Sequence, residues 1–261
     1  MSDILNLYKV LNADQTSPFW GFKFKRNKWY HCEDFSESEK DCDCGFYATG
    51  IDGLAYAFTT FRDVYECQVK GKRKEFDQFK RRYEYFKLGR KMRKDEIIEL
   101  AKSKEAEVGY KLSEALFPFD PREVSNELTQ ADIDNLDKWI SALGSVRGSV
   151  LDSVWGSVWY SVWESVRGSV LDSVMDSVWD SVRGSVWGSV LDSVRGSVYA
   201  YIGSLFPNIK KWEYIDHPDG VYPFQPAVDL IHRGFVPSFD GKVWRLHSGK
   251  DMKVIYERGE K

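Results

Sequence analysis

Residues 145–200 read SVRGSVLDSVWGSVWYSVWESVRGSVLDSVMDSVWDSVRGSVWGSVLDSVRGSVYA, one tetrapeptide, Ser-Val-x-x, repeated fourteen times without a break. The third position holds Arg, Leu, Trp, Met or Tyr, and the fourth holds Gly, Asp, Glu, Tyr or Ala. Two architectures can carry a period of four. In a long α-helix successive valines drift about 40° around the axis per repeat, so about nine repeats carry Val right round it. Ser, Val, Gly and Asp are also mediocre or poor helix formers. In a β-solenoid each four-residue face sends one Val inward, while Gly-Ser and Asp-Ser supply the corners. Every Val is then equivalent. The array is therefore expected to be a short β-solenoid of about three coils, stacked to bury a continuous core. A long α-helix is the alternative. It is supported by the helical spacing of Ile133, Leu136, Ile140 and Leu143 before the array and by Tyr201–Phe206 after it.

Invariant Ser and Val leave only the third and fourth positions to carry information for a partner. Trp155, Trp159, Trp163, Trp179 and Trp187, with Arg147, Arg167 and Arg183, are the candidate partner face. Aromatic and Arg side chains dominate the energetics of protein interfaces. The same residues could instead cover a solenoid wall or a dimer interface, as befits a rod or spacer. Six acidic residues against four Arg in the array make too weak a field for a DNA mimic.

Outward from the array, the chain reads as an α+β protein in four parts. Residues 1–124 form an N-terminal α+β domain with a basic helical extension. Residues 125–144 are a helical connector, 145–200 the array, and 201–261 an α+β capping module. Strands are expected at Leu7–Leu11, Phe22–Phe24, Lys28–Tyr30, Gly45–Thr49 and Val64–Val69, with a short helix at Leu54–Phe58. Residues 95–116 read as mixed-charge helix, ended by Asp120-Pro121. Toward the C-terminus, Pro226–Arg233 is a helix stopped by Gly234. Phe235-Val236 and Lys242–Leu246 flank an Asp240-Gly241 turn, and Lys253–Glu257 pairs with the second of these strands.

The segment 70–94, KGKRKEFDQFKRRYEYFKLGRKMRK, carries twelve basic against three acidic residues. One reading is an amphipathic helix with a solvated basic face. The other is a nucleic-acid contact. There Lys72, Arg73, Lys74, Lys80, Arg81, Arg82, Arg90, Lys91 and Arg93 meet phosphates, and Phe76, Phe79, Tyr83, Tyr85 and Phe86 stack on bases. His31, Cys32, Cys42 and Cys44 could group around a metal. Cys-x-Cys is not a standard zinc spacing, and buried or idle thiols are the plainer reading. Net charge is −3, too small to imply a partner. No run reaches the length of a membrane helix. The N-terminus lacks the pattern of a signal peptide, so reduced thiols and a cytoplasmic location are expected. No phosphate-cradling loop, nucleophile elbow or His-Glu-x-x-His is present.

The order Tyr-Lys-Val-Leu-Asn from Tyr8, Cys-Gly-Phe-Tyr-Ala from Cys44, a short helix, and Val-Tyr-Glu-Cys-Gln-Val from Val64 resembles a small domain of unknown function in phage and bacterial proteins. That domain carries a Gly-Phe-His-Ala-Cys-type motif, and this chain has Tyr47 at the His position. The segment from Tyr222 through His247 is similar to the tail of uncharacterised tetrapeptide-repeat proteins. The resemblance implies a phage association and no assigned activity. Gly45–Thr49 followed by an Ala- and Tyr-bearing helix also resembles a segment of ADP-ribosyltransferases, which implies His31 and Glu66 as the only candidates around a nicotinamide pocket. The expectation is a non-enzymatic, cofactor-free interaction or scaffold protein that binds a partner protein or a second copy of itself. Nucleic-acid binding and NAD-dependent transfer are the alternatives.

Overall fold

The computed structural model describes residues 4–18, 21–40, 43–54, 63–76, 81–144, 150–165 and 191–259. The chain divides into two compact units, residues 1–108 and 109–261.

The first unit is built on an antiparallel sheet of β1 (Leu5–Leu11), β2 (Trp29–His31), β3 (Phe46–Ala48), β4 (Asp63–Glu75) and β5 (Arg81–Lys91). Its order is β1-β4-β5-β2, with β3 also paired to β5. Period-two alternation along β4 and β5 sends Tyr65, Cys67, Val69, Phe86 and Leu88 to one face. There they pack with Leu11, Phe24 and Ala48. Helix α1 (Lys94–Val108) follows and buries Ile97 and Ala101. The strands expected at 7–11, 28–30, 45–49 and 64–69 are present. Phe22–Phe24 forms no strand: Lys23 makes an isolated bridge to Thr16, and Phe24 enters the core. The helix expected from Leu54 lies, beyond that residue, outside the described residues.

The basic segment is corrected by the structure. Residues 70–75 continue β4, 81–91 are β5, and helix starts only at Lys94. The reason is the partner strand. Pairing Val69 with Phe86 and Cys67 with Leu88 buries both members of each pair, which a solvated helix could not do.

The second unit holds α2 (Leu112–Leu116), a 3-10 turn at Pro121–Glu123, α3 (Gln130–Gly144), α4 (Val150–Ser165), α5 (Leu191–Ser204), α6 (Gln225–His232), β6 (Val236–Phe239), β7 (Val243–Ser248) and β8 (Lys253–Gly259). Strands β6-β7-β8 form an antiparallel sheet in that order. Gly241, at φ +92°, makes the β6–β7 turn, and Gly234, at φ +85°, ends α6.

The expected β-solenoid is overturned. The repeats of residues 150–165 and 191–200 are α-helical, and α4 packs against α5. Val154, Val158, Val162, Val194 and Val198 are all buried, as a solenoid would have had them. The helix achieves this because its buried stripe is about 100° wide. From Val154 to Val162 the drift is about 80°, so all three valines stay inside it. Ser157, Ser161 and Ser197 are buried beside them, and so are Gly156, Gly196 and Ala200. These small side chains flank Val on the packed side. Tertiary packing therefore overrides the poor helix propensity of the repeat.

The C-terminal elements close over the repeat helices. α5 packs on α6 and β6, and α3 packs on α6. The Ser197 hydroxyl donates to the Pro237 carbonyl at 2.7 Å, and the backbone N–H of Glu213 donates to Ser161 Oγ at 2.9 Å. At Ser161 and Ser197 the repeat Ser is thus a small buried polar group that fastens its helix to neighbouring segments.

Candidate functional site

Most cations of the β4–β5 hairpin are neutralised where they stand. Lys72 lies 3.8 Å from Glu37, and Lys74 pairs with Glu39. Arg73 and Arg81 each approach Glu75 at 3.7 Å. Arg90 joins Glu66 at 2.7 Å and Glu96 at 2.8 Å, Lys91 joins Asp63 at 2.7 Å, and Arg93 joins Asp95 and Glu96. Exposed pairs add little stability, but each removes a free charge from the phosphate-binding inventory. Arg82 has no exposed surface at all. Its guanidinium donates to Tyr47 Oη, Ser36 O and Lys40 O, so it holds the 36–40 loop and meets no ligand. Tyr83 and Phe86 belong to the core. Lys80 and Phe79 lie outside the described residues. Among the described residues, most cations of the segment are therefore paired or buried where they stand.

A different surface comes together on the polar face of the same sheet. Register places Tyr85 between Lys70 on β4 and His31 on β2, and Lys87 between Gln68 on β4 and Trp29 on β2. Directly paired residues project to the same side, so these six side chains form two parallel rows. Lys70 Nζ lies 4.5 Å from the Trp29 ring centroid and Lys87 Nζ 5.9 Å. The His31 ring stacks on Tyr85 at 4.3 Å with an 8° interplanar angle. Beside these rows is a cleft of about 560 Å³ whose lining includes Asn6, Tyr8, Asn27, Gln68, Lys87 and Arg90. Sequence reading missed Trp29, Lys70, Lys87, Gln68, Asn6 and Asn27 as a group. Alternation along each strand was visible, but the pairing that joins the strands was not.

Three of the four candidate metal ligands, His31, Cys32 and Cys44, are among the described residues. His31 turns to Glu84, at 3.4 Å, and to Tyr85. Burial, with the neighbouring Cys44 thiol, raises the pKa of Cys32. Cys42 lies outside the described residues. Among the described residues no group of three or more His, Cys, Asp or Glu is placed to hold a metal ion. Burial pushes the Cys67 thiol up to about 12, so it is an inert core residue. Lys9, whose ammonium donates to Tyr47 O at 2.7 Å, is lowered to about 8 by burial. His31 and Glu66 lie on β2 and β4 with β5 between them, and each is engaged elsewhere, so they do not converge on a pocket.

On α4 the outward side chains come from the third position at Trp155 and Trp159 and from the fourth at Tyr160. Trp155 is 38% exposed and stacks on Trp159 at 5.6 Å and 21°. Tyr160, 48% exposed, meets Tyr214, 61% exposed, edge to face at 5.4 Å. The Trp163 side chain, Trp179, Trp187, Arg147, Arg167 and Arg183 lie outside the described residues.

No protein-family model, curated protein or solved structure matches the chain. Among the described residues no helix is long and apolar enough to cross a membrane.

Proposed function

We propose that the chain is a non-catalytic interaction protein that engages a partner protein through the third-position side chains of its repeat helices. The observation that carries this reading is the division of labour within the described repeats of α4. Ser, Val and the small fourth-position residues face inward, while Trp155 and Trp159 form a stacked pair at the surface. With Tyr160 and Tyr214 they make an aromatic patch, and contiguous exposed aromatics mark interaction sites where single ones do not. The resemblance to phage and bacterial repeat proteins supports a phage-associated role. Free Cys32, Cys44 and Cys67 suit the host cytoplasm as the compartment.

The test is site-specific photo-crosslinking in infected and uninfected cells. A benzophenone amino acid placed at Trp155 is expected to give a discrete adduct that Trp159→Ala weakens. The same probe at Lys102 on α1 serves as control. An adduct of twice the chain's mass identifies the partner as a second copy. Identical smears from both positions, or no adduct from Trp155, would remove the proposal.

A further inference from the structure

We infer that the polar face of the N-terminal sheet is a binding site for single-stranded nucleic acid, independent of the repeat helices. Three observations point to that ligand. The first is stacking area. Half-buried Trp29 and Tyr85 and exposed His31 stand on one sheet face, with the His31 and Tyr85 rings parallel. Bases of any sequence stack on such platforms, provided that they are not already stacked in a duplex.

The second is charge. Among the described residues Lys28, Lys70 and Lys87 meet no carboxylate, unlike the hairpin cations described above. Lys70 and Lys87 both lie over the Trp29 ring, at 4.5 and 5.9 Å, whereas Lys28 lies over Tyr30, whose ring packs against the core on the opposite face. Positive charge is therefore held beside the stacking surface, where the phosphates flanking a stacked base would run. Two carboxylates share the region, and both are engaged. Glu66 accepts from Arg90, and Glu84 accepts from the Lys72 backbone N–H and faces His31.

The third is the neighbouring cleft. Its amide side chains Asn6, Asn27 and Gln68 each carry both donors and acceptors, as the edges of bases do. Gln68 and Asn6 already bond one another at 3.3 Å, a long contact that a base edge can replace. An apolar cofactor would find few partners here, and a duplex would present phosphates without exposing base faces to Trp29.

The experiment uses the full chain and fluorescein-labelled ten-residue oligothymidylate and oligouridylate, followed by fluorescence anisotropy at 50 and 200 mM salt. Saturable binding is expected, and a preference between the two oligomers tells DNA from RNA. With two lysine contacts and a slope of about 0.7 per phosphate, fourfold more salt weakens binding roughly 7-fold. Trp29→Leu is expected to weaken binding about tenfold or more, as loss of one stacked base does. The surface variant Lys70→Gln/Lys87→Gln should lower affinity and flatten the salt slope by about 1.4. Lys74→Gln, at the ion pair with Glu39, should stay within about twofold of the parent by the same reasoning. Melting curves matching the parent establish that each variant is folded. The inference is overturned by no anisotropy change at 50 mM salt, by binding that the two face variants leave intact, or by equal competition from a duplex. Full displacement by equimolar mononucleotide would also overturn it, since that makes the cleft a nucleotide pocket and not a strand-binding face. Failure here would leave the repeat-face reading untouched.

Discussion

Arg82 shows how far a side chain's role can depart from its charge. It sits in the most basic stretch of the chain, yet it is wholly buried and spends its donors on Tyr47 Oη, Ser36 O and Lys40 O. Its guanidinium also lies over the Phe76 ring at 4.7 Å. A planar fork that reaches two loop carbonyls and a phenol at once has no substitute in a single ammonium group. Arg82→Ala is therefore expected to cost about 3 kcal/mol, since it orphans buried acceptors and empties a packed site, and Arg82→Lys should recover little of that. Equilibrium urea denaturation measures both; a loss under about 0.5 kcal/mol for Arg82→Ala would contradict the bonding described. Tyr47, which stands where the resembled domain carries His, is the fork's phenolic acceptor. Tyr47→Phe keeps the ring over Phe76 and removes one bond, for an expected cost of about 1 kcal/mol in the same assay. None of this was legible beforehand, because the partners of Arg82 lie some forty residues upstream and the sequence shows only the density of charge around it.

At the scale of elements, the repeat's serines separate into two energetic classes. Ser197 donates to Pro237 O at 2.7 Å, so Ser197→Ala should destabilise the C-terminal unit by about 1 kcal/mol. Ser157 is equally buried, but among the described residues its hydroxyl has no partner. Ser157→Ala removes an unsatisfied polar group and raises helix propensity, so it should stabilise by about 1 kcal/mol. Opposite signs from one repeat position are the expected result of thermal denaturation; equal signs would mean that the helix packing is wrong. Gly203 supplies a third check. A Cβ there would fall 2.3 Å from Tyr222 Oη and 3.1 Å from Val158 Cγ2, so Gly203→Ala should cost about 1–3 kcal/mol despite the better helix former. These contacts explain why the array's helical form was hard to read. Invariance of Val argued for equivalent sites, and only a solenoid makes all sites equivalent. The described helices need equivalence over three or four repeats, not fourteen, and the Ser-Val pair is broad enough to absorb the drift over that span. The alternating strands of the N-terminal sheet were legible because each carries its own period of two. The rows across them were not, since Lys70, Tyr85 and His31 meet only through the register of three separate strands.

Over the whole molecule, the two units carry different buried titratable groups, and this fixes how each responds to pH. In the C-terminal unit His247 is buried between Ser238 Oγ, 2.8 Å from Nε2, and Met252 O, 3.0 Å from Nδ1. A carbonyl only accepts, so Nδ1 carries the proton and Nε2 accepts from Ser238 in the neutral ring. Burial lowers the pKa of His247, and burial likewise lowers that of His232, which packs edge to face on Phe119 and Tyr201. A depressed histidine pKa means that the unfolded chain takes up protons first. Stability from these two groups is complete above about 6.5, the unfolded value, and is lost as pH falls toward their folded values. The N-terminal unit holds Lys9 instead, lowered to about 8 by burial. It is protonated in folded and unfolded chains alike well below pH 8, and its penalty is relieved only as pH rises from about 8 toward 10.5. The carboxylates held low by hydrogen bonds, such as Asp132 with Thr129 and Arg233, titrate in stronger acid. Between pH 7.5 and 5.5 the histidines are thus the groups that separate the two units. Hydrogen-exchange mass spectrometry over that range, corrected for the intrinsic exchange rate, should show peptides from 225–252 losing protection while peptides from 63–75 and 81–91 keep theirs. His247→Gln, which cannot charge, should shrink the effect. Protection that rises in 225–252 on acidification, or falls equally in both units, would show that these buried rings do not set the acid response.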